Sequence, residues 1–185
     1  MRAAGRLALL LALAPAPLSA QAWYTIGGGA GGNRVSCADC EKIERFWGGS
    51  GYLRAGGTVG RNVSVGGEFA FWQASIDGSD AYLRAIEGVV LWHPKPPGGF
   101  FGQAGLGLGR IRNVYTIDGE TVRASETGLS VMVGVGYDLR VGKRVFLTPS
   151  VMSIAVPTAT IDTPAGPLDN VVSTLFFAGL GVTIR

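Results

Sequence analysis

The chain has 185 residues, 47% of them hydrophobic and 16% charged, with a formal net charge of +3, which bounds it to one domain. Thirty glycines speak against a helical protein, because each glycine inside a helix costs about 1 kcal/mol relative to alanine. No apolar run of about 18 residues follows the N-terminal segment, so a helical membrane span is excluded, and no basic cluster points to nucleic acid.

The N-terminus reads as an export signal. Arg2 and Arg6 form a basic region, Leu7 to Ala14 an apolar one, and Ala20-Gln21-Ala22 an A-x-A cleavage site. Residues 1–22 are therefore expected to be removed after Ala22, with Ala20 as the other option, leaving 23–185 as a single domain. Losing Arg2 and Arg6 takes 16 basic residues to 14 against 13 acidic ones, a net of +1.

Eight segments with period-two alternation follow: 23–32, 47–60, 62–74, 82–92, 100–111, 126–138, 144–156 and 171–184. The sixth is the clearest. Leu129, Val131, Val133, Val135 and Tyr137 share one parity, while Gly128, Ser130, Met132, Gly134, Gly136 and Asp138 share the other. Side chains alternate across a strand, so one face is bulky and apolar and the other small or polar. That pairing suits a strand with lipid on one side and a narrow lumen on the other. The fold class expected is all-β, an eight-stranded antiparallel up-and-down transmembrane β-barrel.

The connectors after odd strands, 33–46, 75–81, 112–125 and 157–170, read as mostly long outer loops. Those after even strands, Arg61, 93–99 and 139–143, read as short periplasmic turns. Trp23, Tyr24, Trp92, Phe100, Phe101, Tyr137 and Phe146 fall at the expected periplasmic strand ends, and Phe46, Trp47, Trp72 and Tyr82 at the outer ends, as two interfacial girdles would. Only Arg54, Glu68 and Glu87 lie deep within strands. Their parity turns them inward on consecutive strands, so a bridged lumenal Arg–Glu network is expected, because buried charge is costly unless paired. The competing reading, a carboxylate pair for acid–base chemistry, lacks a third polar group and is set aside.

Three further motifs bear on chemistry. Cys37 and Cys40, spaced C-x-x-C in the first long loop, are expected to form a disulfide, since a redox motif needs a βα context and a zinc site more ligands. His93, in His-Pro-Lys-Pro-Pro-Gly-Gly, is expected in a periplasmic turn at the headgroup level rather than in catalysis. The G-x-G-x-x-G within 27–32 lacks a following helix, and the Asn62-Val63-Ser64 sequon sits in a tight turn of an exported bacterial-type chain; both are discounted.

The ordered set Trp-x-x-x-Gly-Gly-Gly from Trp23, C-x-x-C, Gly51-Tyr52-Leu53-Arg54, Gly66-Gly67-Glu68-Phe69, Val133-Gly-Val-Gly-Tyr-Asp-Leu-Arg140 and Leu147-Thr-Pro-Ser150 resembles small bacterial outer-membrane β-barrel proteins of OmpA- or OmpX-like architecture. The resemblance implies the cell outer membrane as location, outer-membrane lipid and the barrel-assembly machinery as partners, and no cofactor, metal or agreed activity. Such barrels often end in an aromatic residue, where this sequence reads Val182-Thr-Ile-Arg185.

Two functions from different classes remain. The first is a structural or surface-interaction protein, not an enzyme, with a plugged lumen and an extracellular partner bound by loops 33–46, 112–125 and 157–170. The second is a binder or conduit for a small apolar ligand, either OmpW-like or soluble and lipocalin-like, with Tyr52 and Trp72 at the ligand mouth. A lipid-acting barrel enzyme is disfavoured for want of a placed histidine.

Overall fold

The computed structural model describes residues 21–36, 45–76, 79–96, 98–117, 120–163 and 166–185. Residues 1–20 of the expected signal segment, and Cys37 and Cys40 with their expected disulfide, lie outside the described residues. Eight strands follow in chain order: β1 (Ala22–Ser36), β2 (Phe46–Thr58), β3 (Val63–Ile76), β4 (Ser79–Trp92), β5 (Gly99–Ile117), β6 (Glu120–Arg140), β7 (Val145–Thr163) and β8 (Gly166–Ile184). Each pairs antiparallel with its chain neighbours, and β1 closes onto β8 from Tyr24↔Ile184 to Ser36↔Val172. Closure removes the two sheet edges that an open eight-stranded meander would leave unpaired.

Period-two alternation decides what each face meets. On β6, Leu129, Val131, Val133, Val135 and Tyr137 are exposed on the outside, and Ser130, Met132 and Asp138 are buried inside. The same outward apolar set continues through Leu106 and Leu108 on β5, Ile86 and Val90 on β4, and Leu180 and Val182 on β8. A soluble lipocalin-like barrel would turn these residues to the axis. The observed faces are inverted relative to that alternative, which is therefore set aside.

The interior is filled by larger groups than the sequence pattern implies. Trp23, Phe101, Phe146 and Trp72, expected in the interfacial girdles, are all buried on the inner face, whereas Tyr24, Trp47, Trp92, Phe100 and Tyr137 stay outside. The reason is local: adjacent residues on a strand face opposite ways, so only one of Trp23/Tyr24 or of Phe100/Phe101 can meet lipid. Inner-face glycines make room for these rings. A Cβ added at Gly27 would lie 2.5 Å from the Tyr52 ring, and one at Gly181 would lie 2.6 Å from its hydroxyl.

The connectors also differ from expectation. At the end carrying both strand termini, the turns span 59–62, 93–98 and 141–144. At the distal end, 112–125 and 157–170 are not long loops: the β5–β6 ladder runs to Ile117↔Glu120 and the β7–β8 ladder to Thr163↔Gly166. At 75–81, the short one of the outer connectors, β3 and β4 pair up to Ile76↔Ser79. In sequence, Asp77-Gly78 and Asp118-Gly119 are the dipeptide that two-residue hairpins favour, each directly preceded by an isoleucine. The chain therefore builds tall hairpins at 112–125 and 157–170, where long loops were expected.

Proline shapes the seam between those hairpins. Pro149 and Pro157 on β7 have no N–H to give, and the β6–β7 ladder is interrupted between Gly136↔Ser150 and Leu139↔Leu147 and ends at Val131↔Ala155. Both prolines keep their places in the register with β8, at Pro149↔Leu180 and Pro157↔Val172. Above Ala155 the β5–β6 and β7–β8 hairpins lie side by side without a continuous ladder: a Cβ added at Gly128 would lie 2.1 Å from the Pro157 carbonyl oxygen.

Candidate functional site

The inner wall carries two polar clusters, separated along the barrel axis. The central one arises from register alone. Arg54 on β2 sits opposite Glu68 on β3, and Glu68 sits opposite Glu87 on β4, so three charged groups share one rung. Arg54 Nε donates to Glu68 Oε2 at 2.6 Å, with both side chains almost fully buried (1% and 0% exposed). The Arg54 guanidinium also lies 4.8 Å from the centre of the Tyr52 ring, a cation–π contact in a region sheltered from water. Glu87 accepts a hydrogen bond from the Ser130 hydroxyl on β6.

This is a costly arrangement held in place by its partners. Like charges directly opposed across strands are unfavourable, and a single guanidinium faces two carboxylates. Arg54 bonds one carboxylate and Ser130 serves the other. Arg54 Nη2, Glu68 Oε1 and Glu87 Oε2 have no protein partner. Among the described residues, no group of three or more His, Cys, Asp or Glu side chains could hold a metal ion.

The second cluster lies at the end carrying the termini, and the sequence reading did not assemble it. Asp138 on β6 is its hub. Thr148 Oγ1 donates to Asp138 Oδ1 at 2.8 Å, and Asp138 Oδ2 is reached by His93 Nε2 at 3.1 Å and by Arg185 Nη2. Arg185 Nη2 also lies 2.7 Å from His93 Nε2. A row of hydroxyls extends the network, with Thr148 to Thr183 at 2.9 Å and Thr183 to Thr25 at 2.8 Å. His93 lies in the turn at this rim, as expected, but faces the barrel interior and not lipid. It is buried, its ring 5.2 Å from that of Phe101, because its backbone N–H is fixed by the Asn62 carbonyl and the turn folds it over the barrel mouth. The available signal was parity: Asp138, Thr148 and Thr183 all fall on inner faces of successive strands.

Tyr52 and Trp72 do not form a ligand mouth. Both are 1% exposed. Trp72 Nε1 donates to the Gly31 carbonyl at 2.9 Å, and Tyr52 packs edge-on against Phe177 with ring centres 5.8 Å apart while its hydroxyl lies 3.4 Å from Ser150. The expectation failed because the rim is farther out than the sequence map put it. Trp72 is level with Leu83 and Ile111, and β5 continues to Ile117. Leu83, Ile111, Ile154, Val156, Val171 and Leu175 are buried around and beyond Trp72.

A family model described as the outer membrane protein beta-barrel domain matches residues 6–147. No curated protein sequence matches the chain. Among solved structures, Neisserial surface protein A is 18% identical with a TM-score of 0.58, covering 89% of this chain and 99% of its own. Ail, the attachment invasion locus protein of Yersinia pestis, is 15% identical with a TM-score of 0.61 at the same coverage. A major outer membrane protein from Thermus thermophilus is 13% identical with a TM-score of 0.57, covering 89% of this chain and 98% of its own. At these identities the likeness is one of fold.

Proposed function

We propose, from the premise that the chain belongs to the outer membrane protein beta-barrel domain family, that it is a plugged, non-enzymatic barrel acting at the cell surface through two tall hairpins. The protein resides in the cell outer membrane. The end carrying the strand termini and the short turns then faces the periplasm, and the hairpins face outward.

The observation that carries the reading is the overhang of β5–β6 and β7–β8. Beyond the last apolar outward rung, Leu108↔Leu129, the β5–β6 ladder continues to Ile117↔Glu120, roughly 20–25 Å of strand after allowing for tilt. A ladder extended that far beyond lipid is fixed in shape, and a fixed protruding surface suits recognition better than transport. The interior supports the same view. An eight-stranded barrel is just wide enough for side chains to fill, and Trp72, Tyr52, Phe177 and the Arg54–Glu68 pair lie across it. The names of Neisserial surface protein A and of the attachment invasion locus protein fit such a role.

Two measurements test the reading. Purified protein in planar bilayers is expected to be silent; stable conductance steps would overturn the plugged lumen. Variants with 113–124 or 159–169 replaced by a two-residue turn are expected to keep heat-modifiable gel migration. The same variants should lose binding to arrays of extracellular-matrix proteins and glycans that the full chain contacts. Unchanged array binding by both trimmed variants would overturn the hairpin assignment.

A further inference from the structure

The outer surface of β4–β6 carries a group of arginines that neither the fold nor the lumenal clusters use. Arg84 on β4 is directly opposite Arg110 on β5; one rung out, Tyr82 is opposite Arg112; one rung beyond, Val114 is opposite Arg123 on β6. All four arginines are exposed, and with Tyr82, Val114 and Asp80 they line one concavity. Parity turns them outward, on the same face as Ile86 and Leu108, which are 68% and 62% exposed and belong to the lipid-facing band. The patch thus begins two residues, roughly 7 Å of strand, above the last apolar rung. That is the level of lipid headgroups, not of bulk water.

The arrangement has a cost that stability does not explain. Like charges placed directly opposite across a ladder repel, as Arg84 and Arg110 do. Among the described residues none of the four forms a salt bridge; Arg110 Nη2 donates to the Ser125 hydroxyl at 3.1 Å. Asp80, the acid in the concavity, accepts from Ser75 Oγ at 2.6 Å instead. Four guanidiniums and one carboxylate leave the patch at +3. Guanidinium forks match phosphate oxygens in a bidentate way, and they bind most strongly where water is partly excluded.

We infer that this patch binds the phosphate groups of a phosphorylated glycolipid in the outer leaflet, with the acyl chains lying along Ile86, Leu108 and Leu129 below. Charge complementarity selects the phosphate, and continuity with the apolar band selects a membrane-embedded source over a soluble one. Such a lipid offsets the Arg84–Arg110 repulsion and fastens the base of the β5–β6 hairpin to the membrane surface.

The test uses the full chain reconstituted in phosphatidylcholine vesicles containing a minor fraction of diphosphorylated lipid A, then released into mild detergent for native mass spectrometry. The wild type is expected to retain lipid A. Arg84→Gln and Arg110→Gln are each expected to lower retention roughly tenfold, the effect of losing one charge-assisted contact, and the fourfold Arg→Gln variant to abolish it. Heat-modifiable migration checks that each variant is folded, and Leu108→Ala serves as a second probe that removes an acyl contact without touching charge. Dephosphorylated lipid A is expected to be lost, and excess inorganic phosphate is expected not to displace the lipid. Equal retention by the folded fourfold variant, equal retention of the dephosphorylated lipid, or full displacement by inorganic phosphate would each overturn the assignment.

Discussion

Arg54 and Glu68 are both opposite one another in the β2–β3 register and joined through Nε and Oε2 at 2.6 Å, inside a barrel whose outer surface is apolar. Removing one member of a buried pair strands the other, at a cost of about 3–5 kcal/mol, whereas replacing both by apolar groups of similar size is often neutral. Arg54→Leu and Glu68→Leu singly should therefore each lower urea-unfolding stability in lipid vesicles by that amount, and the double variant should recover most of it. A double variant as unstable as the sum of the singles would show that Glu87 and Tyr52 depend on the pair in ways the geometry does not reveal.

Gly27 faces the Tyr52 ring closely enough that a methyl group would collide with it. Gly27→Ala is expected to cost about 1–3 kcal/mol by overpacking. Adding Tyr52→Leu should restore part of this loss, because the smaller side chain vacates the contested space. Thermal unfolding followed by gel mobility reads both effects.

Asp138 depends on Arg185 for a charged partner. Arg185→Ala should destabilise the barrel by about 2–4 kcal/mol, less than for a fully enclosed pair because the Arg185 side chain is 16% exposed. Asp138→Asn in the same background is expected to rescue it, since the amide needs no cation and still accepts from Thr148. Failure of rescue would mean that Arg185 acts through its stacking on Phe146, whose ring centre is 5.2 Å from the guanidinium.

Orientation is testable on the outer wall. Val133 lies mid-strand on β6 and is 57% exposed. Val133→Arg should cost about 2–4 kcal/mol in bilayers, the range for a charge near the midplane of a lipid-facing strand. A negligible penalty would place Val133 outside the hydrocarbon.

How much of this was legible in the sequence depends on whether the information was local. The lipid-facing and lumenal parities of β6 followed from one run of consecutive residues, and the Arg54–Glu68–Glu87 rung followed from parity on three consecutive strands. The Asp138 cluster did not: parity marks Asp138, Thr148 and Thr183 as inward, but His93 reaches them from a turn and Arg185 from beyond the end of β8, where alternation assigns no face. The tall hairpins failed differently. Asp77-Gly78 and Asp118-Gly119 carried the turn signal, but the polar residues around them read as loop composition. Strands that have left the membrane no longer need an apolar face, so their alternation fades while their pairing continues. The aromatic pairs failed for a third reason: position along a strand does not by itself say which of two neighbours points outward.

The two prolines of β7 leave a seam in the distal half of the molecule where two hairpins touch without a shared ladder. Since β6 and β7 share no rungs beyond Ala155, a change on one hairpin meets the other through packing, as at Gly128 and Pro157, and not through a fixed register. Backbone hydrogen bonds forbid sliding of one strand past the next, so this seam is where the upper wall can shear while closure through β1 and β8 holds.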